Sequence, residues 1–429
     1  MTGRFLVALV MLVCSLALPA QAKDDPAARV LTQWHRLVLE LVRHTPTYSP
    51  PVASRSFAYL GVTAWEAARP EGSTSLAGQL TDMPPMPDAA PGLDPALVMQ
   101  GAMARAVPHF FGNTGPTGQR AMAAMEHQLS ESLQPGVAPS VREASLAHGK
   151  AIADAVILWA SGDGADRIEN MGFPLEWTLT PGPAHWVPTS AIVQQQAPLL
   201  PDWGKQRPFA MPEGNACPLP PPPAYSEDPG SPFHAEAVEV LETVRNLTDD
   251  QKIIARFWSD DPMLSPTPPG HWVTILLDIS DREGLDAPAL ADALARLGIA
   301  VADAFIGCWY TKYDYDLLRP VTYIRRVIDP AFEPILITPP FPEYPSGHST
   351  QSGAAAAVLT ALFGEAYAFV DATHEDDGLA PRHFTSFAAA AEEAAMSRLY
   401  GGIHFRSAIE RGLDQGACIG AHANGLKTR

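Results

Sequence analysis

Apolar residues recur every three or four positions along much of this 429-residue chain, which is the pattern of helices that bury one face. The segment Ala27–Arg43 shows the pattern clearly, with Val30, Leu31 and Trp34 on one side. The same spacing predicts four further helices in the first half of the chain: Ala53–Ala68, Pro95–Ala106, Gln119–Ser132 and Ser140–Ser161.

Helical patterning resumes in the second half, after an irregular and proline-rich stretch from Pro181 to Pro232. Thr248 and Gln251 have the spacing of a capping box, which predicts the start of a helix. The helices predicted in this half are Phe233–Leu247, Thr248 to about Asp260, Pro269–Asp281, Asp286–Leu318, two that start near Ser346 and Phe384, and His404 to about Gly425.

These patterns predict an all-α, mainly helical fold with two helical bundles joined by the proline-rich segment. We expect an N-terminal helical region with its connector over residues 23–232, and a C-terminal helical domain that carries the active site over residues 233–429. A long loop inside a compact protein is usually a cover or a connection between domains.

The first 22 residues have the pattern of a secretory signal peptide. A short basic start, Met1–Arg4, precedes the apolar run Phe5–Leu18, and Ala20-Gln21-Ala22 provides a cleavage pattern of small residues. No later stretch is apolar for the ~18 residues that a membrane span needs. We therefore predict export to the periplasm or the medium, without stable membrane insertion.

The net charge and the cysteine content lead to two further expectations. The formal charge of −18 argues against nucleic-acid binding, which needs a basic face. Three cysteines follow the predicted signal: Cys217, Cys308 and Cys418. An odd number leaves at least one thiol unpaired. We expect them chiefly as small buried residues, with one disulfide as the alternative.

Three segments of the second half place cations and histidines beside predicted helix ends. In the first, Lys312 and Arg319 are seven residues apart, which places them on one face of a predicted helix, about two turns apart. Pro320 follows and turns Arg319 out of the helical region. In the second, Ser346-Gly347-His348 forms a turn before a helix, whose free N–H groups favour an anion. In the third, Arg398 ends one helix and His404 begins the next.

Each segment alone has an ordinary structural explanation, as a solvated helix face, a helix cap or a structural histidine. Together they provide three cations, two helix N-termini and two histidines, a set that suits a tetrahedral oxyanion with about two negative charges. The sequence motifs of two other kinds of site are absent. There is no Gly-x-Ser-x-Gly elbow of a serine hydrolase around Ser346, and no His-Glu-x-x-His or paired-cysteine spacing of a zinc site. The acidic run Glu375–Asp377 lacks the spacing of a calcium loop.

In order and spacing, Lys312-x6-Arg319-Pro, Pro-Ser346-Gly-His348 and Ser-Arg398-x5-His404 resemble a three-part signature. It is the signature of the superfamily that unites vanadium-dependent haloperoxidases with type 2 phosphatidic-acid phosphatases and bacterial class A acid phosphatases. The length of the chain and the phrases around Trp309 and Gly270-His271-Trp272 resemble the soluble haloperoxidase branch.

The resemblance implies a role for each matching residue. Lys312, Arg319 and Arg398 would bind the oxyanion, with Ser346 and the amide of Gly347 as further donors. His404 would be the covalent ligand of vanadium, or the nucleophile of a phosphatase. His348 would be the acid–base group.

Hydrogen peroxide and halide are then the expected substrates, with vanadate as cofactor. The alternatives are a secreted acid phosphatase that cleaves a phosphate monoester without a cofactor, and a non-catalytic oxyanion-binding protein. A homodimer is compatible with the resemblance as the oligomeric state.

The sequence departs from the family's pattern at Ala408, four residues after His404, where members often have an acidic residue that orients the histidine. We expect a backbone carbonyl or another side chain to take that role. Phe341, seven residues before His348, stands where bromoperoxidases commonly have a histidine, which hints at a chloroperoxidase-like site.

Overall fold

The structure, a computed structural model, describes residues 25–428 and is mainly helical, as predicted. The first half contains α1 (Pro26–Arg43), α2 (Pro50–Ala68), α3 (Pro95–Phe110), α4 (Pro116–Ser132) and α5 (Pro139–Ala160). The second half contains α6 (Pro232–Arg245), α7 (Asp249–Phe257), α8 (Thr267–Glu283), α9 (Ala287–Tyr315), α10 (Pro320–Val327), α11 (Gly347–Phe363), α12 (Phe387–Tyr400) and α13 (Arg406–Asn424). The two short strands β1 (Phe369–Asp371) and β2 (Arg382–Phe384) pair antiparallel.

Local sequence explains most helix starts. The side chains of Asp25, Asp94, Ser231 and Asp286 each accept a backbone N–H at the start of a helix whose first turn carries proline. The capping box at Thr248 is present, since Thr248 accepts from Gln251 and the side chain of Gln251 accepts in return. These interactions lie within three residues, which is why the pattern alone predicts them.

The predicted helix Asp286–Leu318 was wrong at its end. The helix stops at Tyr315, because Asp316 adopts a left-handed conformation with φ of 47°. Lys312 and Arg319 therefore do not share a helix face: Lys312 lies in the last turn of α9, and Arg319 is the extended residue before α10. The eight-residue helix α10 and the two strands were not predicted, because such short elements carry little periodicity.

At two glycines, helices pack with their backbones in close contact. Gly61 of α2 lies so near α9 that an added Cβ would be 2.7 Å from the carbonyl oxygen of Leu294. Gly416 of α13 lies even closer to α11, with 2.1 Å to the carbonyl oxygen of Thr350. The larger hydrophobic cluster includes residues from both halves of the chain, so the predicted boundary at residue 232 does not divide the core. The division into two domains stays a prediction.

The proline-rich connector packs against α13 and is bonded to it. Cys217 in the connector forms a disulfide with Cys418 of α13, and Cys308 is a buried free thiol. The hydroxyl of Tyr344 donates to the Pro220 carbonyl at 2.6 Å, and the amide of Gln415 donates to the Cys217 carbonyl at 3.2 Å. The expectation of three unpaired buried cysteines was wrong, since two partners that are 201 residues apart meet only in the folded chain.

The predicted signal peptide, residues 1–22, lies outside the described residues. None of the helices within residues 25–428 is long and apolar enough to cross a membrane.

Candidate active site

The three predicted segments meet in the interior of the C-terminal half. Lys312 and Arg319 are fully buried, and Arg398 and His404 are only 3% and 2% exposed. His348 is partly buried, and its Nε2 atom is fully covered. Burial of three cationic side chains in one region is costly unless anions compensate them. Their environment therefore decides what the site can hold.

Ser346 caps α11 and orients the start of that helix. Its hydroxyl oxygen accepts from the N–H of Ser349 at 3.3 Å, and its own N–H donates to the carbonyl of Ala408 at 3.0 Å. Because α11 begins at Gly347, the N–H groups of Gly347 and His348 have no acceptor within the helix. The positive end of the helix dipole therefore lies at these residues.

Lys312 holds the loop that leads to α11. Its ammonium group donates to the carbonyls of Pro342 at 3.0 Å and Glu343 at 2.9 Å, and also to that of Pro345. These bonds use its three protons, so in this structure Lys312 offers an anion its charge rather than a free N–H. Burial, together with the charge of Arg319, lowers the pKa of Lys312 to about 8.

Arg319 is positioned by two carbonyls and leaves part of its guanidinium unpaired. Nε donates to Phe341 at 2.8 Å and Nη1 to Ile403 at 3.0 Å. Nη1 also lies 3.1 Å from Nε2 of His404. Nη2 is buried and has no partner among the described residues. Burial, with the charge of Arg398, lowers the pKa of Arg319 to about 10.

Arg398, like Arg319, is positioned by a backbone carbonyl and keeps part of its guanidinium unpaired. Its Nη1 donates to the carbonyl of Trp258 at 2.9 Å, whereas its Nε is buried without a partner in the described part of the chain. Burial lowers its pKa to about 10 as well. Two guanidinium groups therefore each keep a buried N–H available for an acceptor.

Glu343 takes the orienting role that Ala408 cannot take. Its Oε1 accepts from Nδ1 of His404 at 2.8 Å and from the N–H of Phe405 at 2.8 Å. With the Nδ1 proton held by Glu343, the lone pair of His404 lies on Nε2, beside Arg319. Sequence reasoning missed Glu343, although its position as the one charged residue in Phe341-Pro-Glu-Tyr-Pro345 was a signal.

The electrostatics keep both histidines neutral. Burial, then the charges of Arg319, Lys312 and Arg398, lowers the pKa of His404 well below its usual range. Burial and the charge of Arg398 do the same for the pKa of His348. Burial raises the pKa of Glu343, whereas Arg319 and the N–H of Phe405 oppose that rise. Two unprotonated imidazoles thus lie within electrostatic range of each other and of Arg398.

The unpaired atoms test whether an oxyanion fits. Among the described residues, buried atoms without a partner include Arg319 Nη2, Arg398 Nε, His348 Nε2 and Ser349 Oγ. Leaving one such group unpaired costs about 1–3 kcal/mol, and more when the group is charged. An oxyanion that accepts from Arg319 and Arg398 satisfies these donors with charge-assisted hydrogen bonds. The residues therefore fit vanadate or phosphate.

Comparisons with known proteins agree with this geometry. A family model described as the VCPO second helical-bundle domain matches residues 292–331 and 327–429. No curated protein sequence matches the chain.

Solved structures match over nearly the whole chain. The structure described as the first bacterial vanadium-dependent iodoperoxidase is 33% identical, covers 96% of this chain and 99% of its own, and has a TM-score of 0.84. A holo-type bacterial vanadium-dependent chloroperoxidase is 16% identical, with 95% of this chain and 93% of its own covered and a TM-score of 0.64. Its apo-type counterpart is 15% identical, covers 94% of each chain and also has a TM-score of 0.64.

The chloroperoxidase structures share the fold with this chain, and the iodoperoxidase shares sequence as well. Identity of 33% over 96% of the chain shows common ancestry, and the resemblance inferred from the three motifs is confirmed. The chain belongs to the vanadium-dependent haloperoxidase family.

Proposed function

We propose that this protein is a vanadate-dependent haloperoxidase, which oxidises halide with hydrogen peroxide. The observation that carries the proposal is the buried set of unpaired donors on Arg319 and Arg398 beside Nε2 of His404, which faces Nη1 of Arg319 at 3.1 Å. The similarity to a bacterial vanadium-dependent iodoperoxidase over the whole chain supports it.

Arg319, Arg398 and the N–H groups at the start of α11 would hold the oxygens of vanadate. His404 would bind the metal through Nε2, since Glu343 occupies its Nδ1. Bound vanadate supplies a Lewis-acidic centre at which hydrogen peroxide is activated toward halide. Lys312 contributes charge at the back of the site and fixes the loop that carries Glu343.

His348 is the group that moves protons. Oxidation of halide X⁻ by H2O2 to HOX and water takes up one proton from solvent overall. Besides this net uptake, a base accepts a proton from the peroxide, and the resulting acid gives that proton to the leaving oxygen. The low pKa of His348, caused by burial and Arg398, keeps Nε2 free to accept that proton. Its unpartnered Nε2 is the atom at which we place the transfer.

We propose iodide as the first halide to test. The support is the iodoperoxidase with 33% identity, together with the general order in which iodide is oxidised more easily than bromide and bromide more easily than chloride. Phe341 lies over both cations, with its ring centre 5.2 Å from the ammonium of Lys312 and 5.0 Å from the guanidinium of Arg319. It gives the site an apolar wall.

A paired assay tests the function. Vanadate-loaded protein is measured for peroxide-dependent oxidation of iodide, bromide and chloride, and vanadate-free protein for cleavage of a phosphate monoester. We expect iodide oxidation that depends on vanadate and is lost in His404→Ala. His383→Ala is the matched control, because His383 is an exposed histidine on β2.

Two results would refute the proposal. Absence of halide oxidation at every pH, with ester cleavage that disappears in His404→Ala, would identify a phosphatase. Absence of both activities, with phosphate binding that is lost in Arg398→Ala, would identify a non-catalytic oxyanion-binding protein.

We also propose export of the mature protein. The signal-like first 22 residues and the Cys217–Cys418 disulfide support it, because disulfides persist mainly in oxidising compartments. Fractionation of the expressing cells tests this proposal: full-length protein confined to the cytoplasm with reduced Cys217 and Cys418 would refute it.

A further inference from the structure

A buried cluster of histidines and carboxylates lies behind the anion site. Asp260 follows α7, His271 belongs to α8, and His374 lies in the loop between β1 and β2. Their exposed fractions are 3%, 0% and 5%. One donor atom from each of these residues converges within 4.8 Å of the other two. Three distant segments thus bring two imidazole nitrogens and a carboxylate together.

The distances are close to those of a coordination site. Oδ1 of Asp260 is 3.0 Å from Nδ1 of His271 and 3.2 Å from Nε2 of His374. A tetrahedral zinc ion with bonds of about 2.0–2.1 Å has ligand atoms roughly 3.3 Å apart. The two distances from Asp260 need to lengthen by only a few tenths of an ångström to admit the ion.

The outer nitrogens of both histidines are held as metal-bound histidines usually are. Nε2 of His271 lies 2.8 Å from Oδ2 of Asp371, and Nδ1 of His374 lies 3.0 Å from Oδ2 of Asp377. A carboxylate behind each imidazole fixes the ring and its tautomer and makes the inner nitrogen a better ligand. Asp371 is itself held, since it accepts from the N–H of Thr373 at 3.0 Å.

We infer that Asp260, His271 and His374 form a binding site for one zinc-type divalent cation. Two imidazoles and one carboxylate suit zinc and its neighbours in the transition series, whereas calcium and magnesium prefer all-oxygen sites. The ion displaces one proton from the inner nitrogen of each histidine, and the outer N–H bonds to the carboxylates remain. The inference is independent of the proposed function.

The ion would link the loop between β1 and β2 to the segment after α7 and to the start of α8. The site also borders the anion site, because the ring of Trp258 stacks on His271 with centroids 4.5 Å apart. The carbonyl of the same Trp258 accepts from Arg398. A cation at this point therefore stiffens the wall that positions Arg398.

Metal analysis of the full chain without vanadate tests the inference. The protein is stripped with a chelator, dialysed against zinc or calcium, and measured for bound metal and for Tm. We expect one zinc per chain, a higher Tm with zinc, and no response to calcium. A crystal of the zinc-loaded chain should show anomalous scattering at about 2.0–2.2 Å from the three donor atoms.

Variants separate this site from surface binding. His374→Gln should abolish stoichiometric zinc binding. Asp377→Asn, which removes the carboxylate behind His374 together with its ion pair to Arg43, should weaken zinc binding about 10–100-fold. His383→Gln, on the exposed face of the same hairpin, should bind zinc as the wild type does.

Less than one zinc per wild-type chain, with an unchanged Tm, would overturn the inference and identify the cluster as an ion-pair network of protonated histidines. Unaltered zinc binding by His374→Gln would overturn it as well. Because the wild-type measurement needs no variant to fold, the inference is testable even if His374→Gln is unstable.

Discussion

The substitution Glu343→Gln tests whether a buried carboxylate replaces the acidic residue that is missing at position 408. The side chain of Glu343 is fully buried, and its Oε1 accepts from His404 Nδ1 and from the N–H of Phe405, both at 2.8 Å. Glutamine keeps the length of the side chain and one acceptor oxygen, but it removes the negative charge. The change therefore probes the charge and not the volume.

The expected loss follows from the two hydrogen bonds. A bond to a charged acceptor contributes about 1.5–3 kcal/mol and one to a neutral acceptor about 0.5–1.5 kcal/mol, so each bond loses about 1 kcal/mol. The total of about 2 kcal/mol is the expected loss of unfolding free energy, because both bonds are present before vanadate binds. Vanadate affinity changes through the basicity of Nε2 of His404, which the charge of Glu343 raises, and loss of such a partner typically costs about 10–100-fold in metal affinity. We expect vanadate affinity to fall by that factor in Glu343→Gln.

Titration of the vanadate-free protein with vanadate, followed by peroxidase activity, measures the affinity, and Tm reports folding. Glu410→Gln is the matched control, because Glu410 lies on the nearby α13 surface with a side chain that is 62% exposed. A Kd for Glu343→Gln within twofold of the wild type and of Glu410→Gln would refute the reasoning. It would show that the carboxyl of Glu343 is neutral and orients His404 without its charge.

Three further predictions concern proton transfer, pH and the disulfide. His348→Ala should lower kcat about 10²–10⁴-fold and leave the Kd for vanadate within a few fold, because we propose that His348 moves protons rather than holding the oxyanion. A parallel loss of both would contradict this role. Burial lowers the pKa of His35 to about 4 in the folded protein, so between about pH 6.5 and 4 only the unfolded chain takes up the proton. The free energy of unfolding should therefore fall by up to about 3 kcal/mol as the pH falls through this window, and urea unfolding of His35→Asn should show a profile flatter by that amount. Replacing Cys217 and Cys418 by serine should lower the unfolding free energy by about 2–5 kcal/mol, and an unchanged Tm would show that the disulfide contributes nothing.

Sequence reasoning succeeded where the relevant interactions are local. Helix starts are set by a cap and its first turn, so Thr248 with Gln251, or Ser346 before α11, could be read without knowing the fold. It failed at the end of α9, where Asp316 adopts a left-handed conformation. No glycine, the residue that usually indicates such a helix end, lies nearby in the sequence. It also missed α10 and both strands, which are too short for a periodic pattern.

The same limit applies to the site. Lys312, Arg319, His348, Arg398 and His404 were found because their spacing within three short motifs matches that of a family. Their detailed roles depend on partners that the motifs do not contain. Only the structure shows that the protons of Lys312 are used by backbone carbonyls, while Arg319 and Arg398 keep unpaired N–H groups.

The sequence by itself determined the helical fold, the family and the residues of the three motifs that meet in the candidate site, because periodicity, caps and motif spacing act over a few residues. The tertiary structure alone decided which distant residues meet. Glu343 reaches His404 across 61 positions, Asp260 reaches His374 across 114, and Cys217 reaches Cys418 across 201. Such pairs are set by how α9, α11 and α13 pack through their small residues, and packing of surfaces far apart in the chain leaves no pattern in a single sequence.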